Sequence, residues 1–222
     1  MQYIKGLDAF DGRNHTAVTL GKFDGLHRGH QKLLNRIMKY AQKEDCDSVV
    51  CAFDMDRDCL MTNEERRAFL EDKVDYLIEI PFTREMMEME AEKFIEEILY
   101  KKLHASHIVV GTDFNFGHEK RGNHQMLEKY AAKYGYTVDV VEKAYYKDRE
   151  ISSTYIRELL LDGNVPLANE LLGYPYEITS VVEHGQQLGR TLGFPTMNLA
   201  PQGKKILPKY EKTVVRSLCL RI

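Results

Sequence analysis

The chain has 222 residues, a net charge of −3, 43% hydrophobic and 29% charged residues, enough apolar residues for a real core and no basic excess of the kind that marks a nucleic-acid partner. No apolar run approaches the ~20 residues that span a bilayer, and Met1–Lys5 lacks the apolar centre of a signal peptide, so no membrane partner is expected. Cys46, Cys51, Cys59 and Cys219 show no C-x-x-C spacing, which argues against zinc or a disulfide frame and for reduced thiols in a cytoplasmic protein.

The short apolar run Ala17–Leu20 ends on a glycine-rich turn, Gly21-Lys22-Phe23-Asp24-Gly25-Leu26-His27-Arg28-Gly29-His30. Leu33, Leu34, Ile37, Met38 and Ala41 then recur at helical spacing. A strand, a glycine turn and a helix together aim backbone N–H groups and a positive helix end at an anion, most often a phosphate. The turn is neither G-x-G-x-x-G nor a P-loop, which would close on Gly-Lys-Ser/Thr. It offers imidazoles instead, His27 and His30, with Gly29 leaving room between them. One histidine here reads as a helix cap. Two at i, i+3 fit stabilisation of charge building on a phosphoryl oxygen. Such transfers need positioning and charge rather than a side-chain nucleophile. Asp24 fits either a magnesium ligand or an Asx-type backbone bond.

Ser48–Phe53 reads as a buried strand, short and rich in β-formers. Thr62-Asn63-Glu64-Glu65 has the spacing of a capping box and predicts a helix to about Leu70. Asp54 to Asp58, with Glu65 at the twelfth place, imitates a calcium loop. Cys59 stands where that loop needs glycine, and a strand precedes it where a helix is required, so calcium is rejected. Tyr76–Ile80 is a third strand, stopped by Pro81, and a long charged helical stretch follows with Phe94, Ile95, Ile98 and Leu99 on one stripe. His107–Gly111 and Thr137–Val141 are further strands, with a helix from Asn123 to Lys133 between them. Strands alternating with helices predict an α/β fold with a parallel sheet, whose ligands sit at the carboxyl ends of strands. The Gly21–His30 turn and the Gly111-Thr112-Asp113-Phe114-Asn115-Phe116-Gly117 loop both follow strands and can share one cleft. The aromatic rings of that loop fit packing, and fit equally the framing of a flat ring whose edge Asp113 or Asn115 bonds. Ser152, Ser153, Thr154 and Arg157 open a helix. Capping accounts for one hydroxyl, and the set together also describes an anion site. A helical pair broken at Gly163-Asn164 closes this unit near Gly173, and Tyr176–Val182 alternates like the start of an all-β unit.

The order of Gly21–His30, Gly111–Gly117, Ile151–Arg157 and Gly189–Asn198 resembles the bacterial bifunctional riboflavin kinase/FMN adenylyltransferases, or FAD synthetases, over about Thr19 to Tyr210. Leu60-Met61-Thr62, Val74–Leu77 and Ala168–Gly173 agree with it as well. The resemblance implies a Rossmann-like nucleotidyltransferase domain over 1–173, followed over 174–222 by an incomplete, kinase-like small β-barrel module. It implies that AMP passes from ATP to FMN, giving FAD and pyrophosphate, with Mg²⁺ sharing the charge and small molecules as the partners. His27, His30 and Arg157 would be catalytic. Gly21, Phe23, Asp24, Gly25, Gly29, Ser152, Ser153 and Thr154 would hold nucleotide, and Phe53, Gly111, Asp113, Phe114, Asn115 and Phe116 would line the flavin side. Gly189, Arg190, Gly193, Pro195, Thr196 and Asn198 match the kinase site for nucleotide and metal.

Two departures bear on this. Where the family has Phe-x-Pro-His-Pro the chain reads Phe53-Asp54-Met55-Asp56-Arg57, which leaves a different phosphate acceptor as the alternative substrate. After Tyr210 the kinase pattern stops, and most of the barrel, with the family's catalytic carboxylate, has no counterpart. Riboflavin kinase activity is therefore expected to be lost, and a non-catalytic flavin-binding remnant is the further alternative. Nothing in the sequence indicates an oligomeric state.

Overall fold

The computed structural model describes residues 1–54, 58–183, 193, 198–201 and 203–209. In chain order β1 (Gln2–Lys5), β2 (Thr16–Gly21), α1 (Arg28–Lys43), β3 (Asp47–Asp54), α2 (Asn63–Leu70) and β4 (Tyr76–Pro81) come first. Two short helices, α3 (Arg84–Glu88) and α4 (Ala91–Lys93), run into a π-helical segment, Phe94–Lys102, ahead of β5 (Ala105–Gly111). The hairpin of β6 (Asn115–Phe116) and β7 (Gly122–Asn123), helix α5 (His124–Tyr134), β8 (Thr137–Val141) and the hairpin of β9 (Tyr145–Tyr146) and β10 (Arg149–Glu150) follow. Helices α6 (Ser153–Leu161) and α7 (Val165–Leu172) precede β11 (Ser180–Glu183) and β12 (Asn198–Pro201).

Six strands form one sheet in the order β1-β4-β3-β2-β5-β8, with every neighbouring pair parallel. From β2 the chain steps one way to β3 and β4, then returns to β5 on its other side. The crevice beyond the carboxyl ends of β2 and β5 is therefore the topological switch point, where open α/β sheets hold ligands. Both faces of the sheet are covered, so successive residues of one strand enter different cores. Val18, Leu20, Val49 and Cys51 pack toward Phe94, Ile95 and Leu127, whereas Ala17, Val50 and Ala52 pack toward Leu34 and Ile37 of α1. This two-sided burial is why the strands read as continuous apolar runs.

The α/β reading and its five strands hold, and the capping box is present in full: the Glu65 N–H bonds Thr62 Oγ1 at 3.2 Å while Glu65 Oε2 accepts from the Thr62 N–H at 2.9 Å. Three readings are corrected. The sheet gains an edge strand, β1, in which only Ile4 is buried, too little apolar character to announce a strand. The long helical stretch is broken at Met89, which has extended backbone, and its apolar part is a π-helix with Leu103 N–H bonding the Ile98 carbonyl. A π-helical pitch puts Phe94, Leu99 and Leu103 on one buried face, a spacing that an α-helical stripe does not reproduce. Strand β11 begins at Ser180, because Tyr176 is drawn onto α6 and α7 instead, its hydroxyl donating to the Ile206 carbonyl at 2.7 Å. Among the described residues β11 and β12 pair antiparallel with each other alone, and no barrel closes.

Candidate functional site

The Gly21–His30 turn leaves β2 at the switch point under backbone strain. Phe23 (φ 46°) and Leu26 (φ 35°) lie in the left-handed region without being glycine, and both are fully buried. Burial of these two side chains holds a conformation costing on the order of 1–3 kcal/mol per residue. Gly25 (φ 81°) is needed twice over, since a Cβ there would also lie 2.9 Å from Leu60. Four carbonyls of the turn accept from side-chain donors: Lys22 O from Arg66 (3.0 Å), Asp24 O from Ser153 Oγ (2.8 Å), Gly25 O from Tyr174, and Leu26 O from Gln31 Nε2 (2.8 Å). With its carbonyls held from behind, the turn opens toward the α1 N-terminus with N–H character. Arg66, Tyr174 and Gln31 stood out in no motif, because their work is on backbone atoms that sequence spacing does not reveal.

His27 is the N-cap residue of α1, and its ring stacks on that of His30 with centroids 3.8 Å apart. A Cβ at Gly29 would lie 3.1 Å from the His27 ring, so any larger residue there would press on that ring. Both Nδ1 atoms are buried without a partner. Burial pushes the His27 pKa down to about 4 and that of His30 well below its usual value, helped by His27 and Arg66 nearby. Both shifts favour the uncharged imidazole, which keeps one N–H to donate.

Asp24 departs from the Asx reading. Its Oδ1 accepts the N–H groups of Leu60 (2.7 Å) and Met61 (3.3 Å), and its Oδ2 pairs with Arg157. The carboxylate does not turn onto its own loop. It latches the turn to α6 and to the loop before α2. Ser152 caps α6 by accepting from Tyr155 N–H, Ser153 reaches the Asp24 carbonyl, and Thr154 is exposed.

Two clefts flank this turn. The smaller, about 220 Å³, is lined by His27, Gly29, His30, Gly111, Asp113, Lys143, Ser152 and Ser153. Lys143 bridges Asp113 (3.1 Å) and Glu150 (2.8 Å) at its rim, and Glu150 first among them raises the lysine pKa. The larger, about 690 Å³, is lined by Lys22, Asp24, Phe53, Asp54, Met61, Arg66 and Phe82, with Gly203 and Lys204. Arg66 is a buried charge there, 3.7 Å from Glu79.

The structure therefore divides one expected group. Phe53 belongs to the larger cleft, and Gly111 and Asp113 to the smaller. Phe116 packs into the core against Phe94, with its ring where a side chain at Gly122 would stand, and Phe114 stacks on it at 5.6 Å. Asn115 bonds the Asp113 carbonyl. Gly21 ends β2, paired with Ala52, and Phe23 is core. Gly189, Arg190, Pro195 and Thr196 lie outside the described residues, as do Met55, Asp56, Arg57 and Cys219. Gly193 is exposed, and Asn198 opens β12. Cys46, Cys51 and Cys59 are free thiols. Among the described residues no helix is long and apolar enough to cross a membrane, and no group of His, Cys, Asp or Glu gathers to hold a metal.

The FAD synthetase family model matches residues 10–155 and the riboflavin kinase model residues 172–215. Similar proteins include the bifunctional riboflavin kinase/FMN adenylyltransferases of Buchnera aphidicola from Schizaphis graminum (35% identical, 90% of this chain and 68% of that protein). Those of Haemophilus influenzae (37%; 90% and 68%) and Escherichia coli K12 (34%; 86% and 64%) are similar too. A solved structure from Streptococcus pneumoniae, described as a macrolide-efflux protein, superposes with a TM-score of 0.83 at 31% identity, over 93% of this chain and 71% of its own.

Proposed function

The chain belongs to the FAD synthetase family, and on that premise we propose that it transfers AMP from ATP to FMN. One observation carries the reading: two neutral, stacked histidines on a glycine turn at the switch point, with a cleft on each side. The smaller cleft takes the adenosine end of ATP. At about 220 Å³ it cannot enclose the whole nucleotide, so the triphosphate runs out over Gly29 and His30 to the turn. The larger cleft takes FMN, with Phe53 and Phe82 offering aromatic faces and Arg66 a positive charge beside the turn. A phosphate oxygen of FMN attacks the α-phosphorus, the new P–O–P bond forms as the bond to the β-phosphate oxygen breaks, and pyrophosphate leaves. His27 and His30 donate to the oxygens on which charge builds, and the helix end adds its dipole. Arg157, committed to Asp24, acts by holding the turn. Asp24 stays engaged by Leu60, Met61 and Arg157, and Mg²⁺ enters with ATP as part of the substrate.

Purified protein with FMN, ATP and Mg²⁺ should yield FAD and pyrophosphate on chromatography, and His30→Ala should slow this at least ~100-fold. Absence of FAD, with pyrophosphate released from another phosphate acceptor, would shift the reading to a sister adenylyltransferase. FMN binding without pyrophosphate would mark a non-catalytic protein. Riboflavin in place of FMN tests the expected loss of kinase activity in this 222-residue chain.

A further inference from the structure

The wall of the larger cleft is built from two distant stretches, Cys59 to Glu64 and Gly203–Lys204. Their backbones meet in a short parallel bridge: Cys59 N–H donates to the Lys204 carbonyl (2.9 Å), and Ile206 N–H donates to the Cys59 carbonyl (3.0 Å). Between them lies Lys205, its side chain only 4% exposed. The ammonium donates to the Leu60 carbonyl (2.8 Å) and to Glu65 Oε2, and sits 4.5 Å over the Tyr176 ring. Leu60 is thus held at both ends of its backbone, its N–H by Asp24 of the histidine turn and its carbonyl by Lys205.

A buried ammonium is a costly way to fill space. Its desolvation is offset only by good pairing, and an apolar residue of the same volume often serves stability as well or better. What the charge adds is direction, because it fixes one carbonyl, and that carbonyl belongs to the loop joining the histidine turn to the cleft wall. We infer that Lys205 is a positioning residue for the acceptor: through Leu60 and Glu65 it sets the wall against which the FMN phosphate and ring are held. A stretch within the riboflavin kinase match thereby serves the adenylyl-transfer site. The inference rests on the reading of the larger cleft as the FMN site.

Lys205→Met in the full chain removes the charge and keeps the volume. In steady-state assays with each substrate varied, the KM for FMN should rise about 10-fold while the KM for ATP stays within about 2-fold, the loss of one charged hydrogen-bonding group being felt on one side only. Equal rises for both substrates, or none, would overturn the inference. Tyr176→Phe, which only frees the Ile206 carbonyl, keeps the question open to test if Lys205→Met fails to fold, and should raise the FMN KM in the same direction by a smaller factor. Titration of flavin fluorescence with each protein reads FMN affinity without turnover. Wild type that binds FMN yet makes no FAD sinks the proposed reaction alone, whereas unchanged FMN affinity in both variants sinks the role of Lys205.

Discussion

His27 carries a charge question that its position decides. Its pKa of about 4, against an ordinary 6.5, is a burial effect, so the folded protein refuses a proton that the unfolded chain accepts. The stability this group contributes is complete above pH 6.5 and drains away as the pH falls toward 4. At about 1.4 kcal/mol per pH unit the loss is about 3 kcal/mol. Urea melts should therefore show the wild type weakening between pH 7 and pH 4, and His27→Gln should lose about 3 kcal/mol less over the same interval. An equal acid loss in the variant would place the proton uptake elsewhere. The same neutral state is useful at pH 7, since an uncharged imidazole pair can be packed closely and still donate to a phosphate.

The elements that hold this residue were unevenly legible. β2, α1, α2 and α5 could be read from apolar spacing and, for α2, from its cap at Thr62, because local chemistry decides them. The π-helix could not, because its pitch answers to what Phe94 and Leu99 pack on. The two histidines and Gly29 were visible as a motif. The donors behind the turn were not, since Arg66, Tyr174 and Gln31 reach it from distant elements. Asp24 is the case in point: its partners are Leu60 and Met61 before α2 and Arg157 in α6. That latch makes a sharp energetic prediction. Arg157→Met leaves a buried carboxylate without its cation and should cost about 3 kcal/mol. Adding Asp24→Asn keeps an oxygen for the Leu60 N–H and removes the stranded charge, so the double variant should recover part of the loss in denaturant melts. Strict additivity of the two costs would deny the coupling.

At the scale of the whole molecule, the order of strands decides where the two clefts lie. The turn after β2 stands between two clefts, one toward β5 and β8, the other toward β3 and β4. On the proposed reading each substrate has its own side, and nothing in the strand order makes one wait for the other to leave. Between the clefts stand imidazoles that stack on each other and meet Phe23, and among the described residues neither Nδ1 bonds a nucleophile in the manner of a base–nucleophile pair. A relay through the protein would give ping-pong kinetics, with parallel lines when one substrate is varied at fixed levels of the other. Direct transfer across the turn requires both substrates together, so the lines should intersect, and no radiolabelled AMP should remain on the protein after denaturation. Parallel lines with retained label would mean that a side chain of the turn takes the AMP first, and the two-cleft geometry would then describe successive rather than simultaneous occupancy.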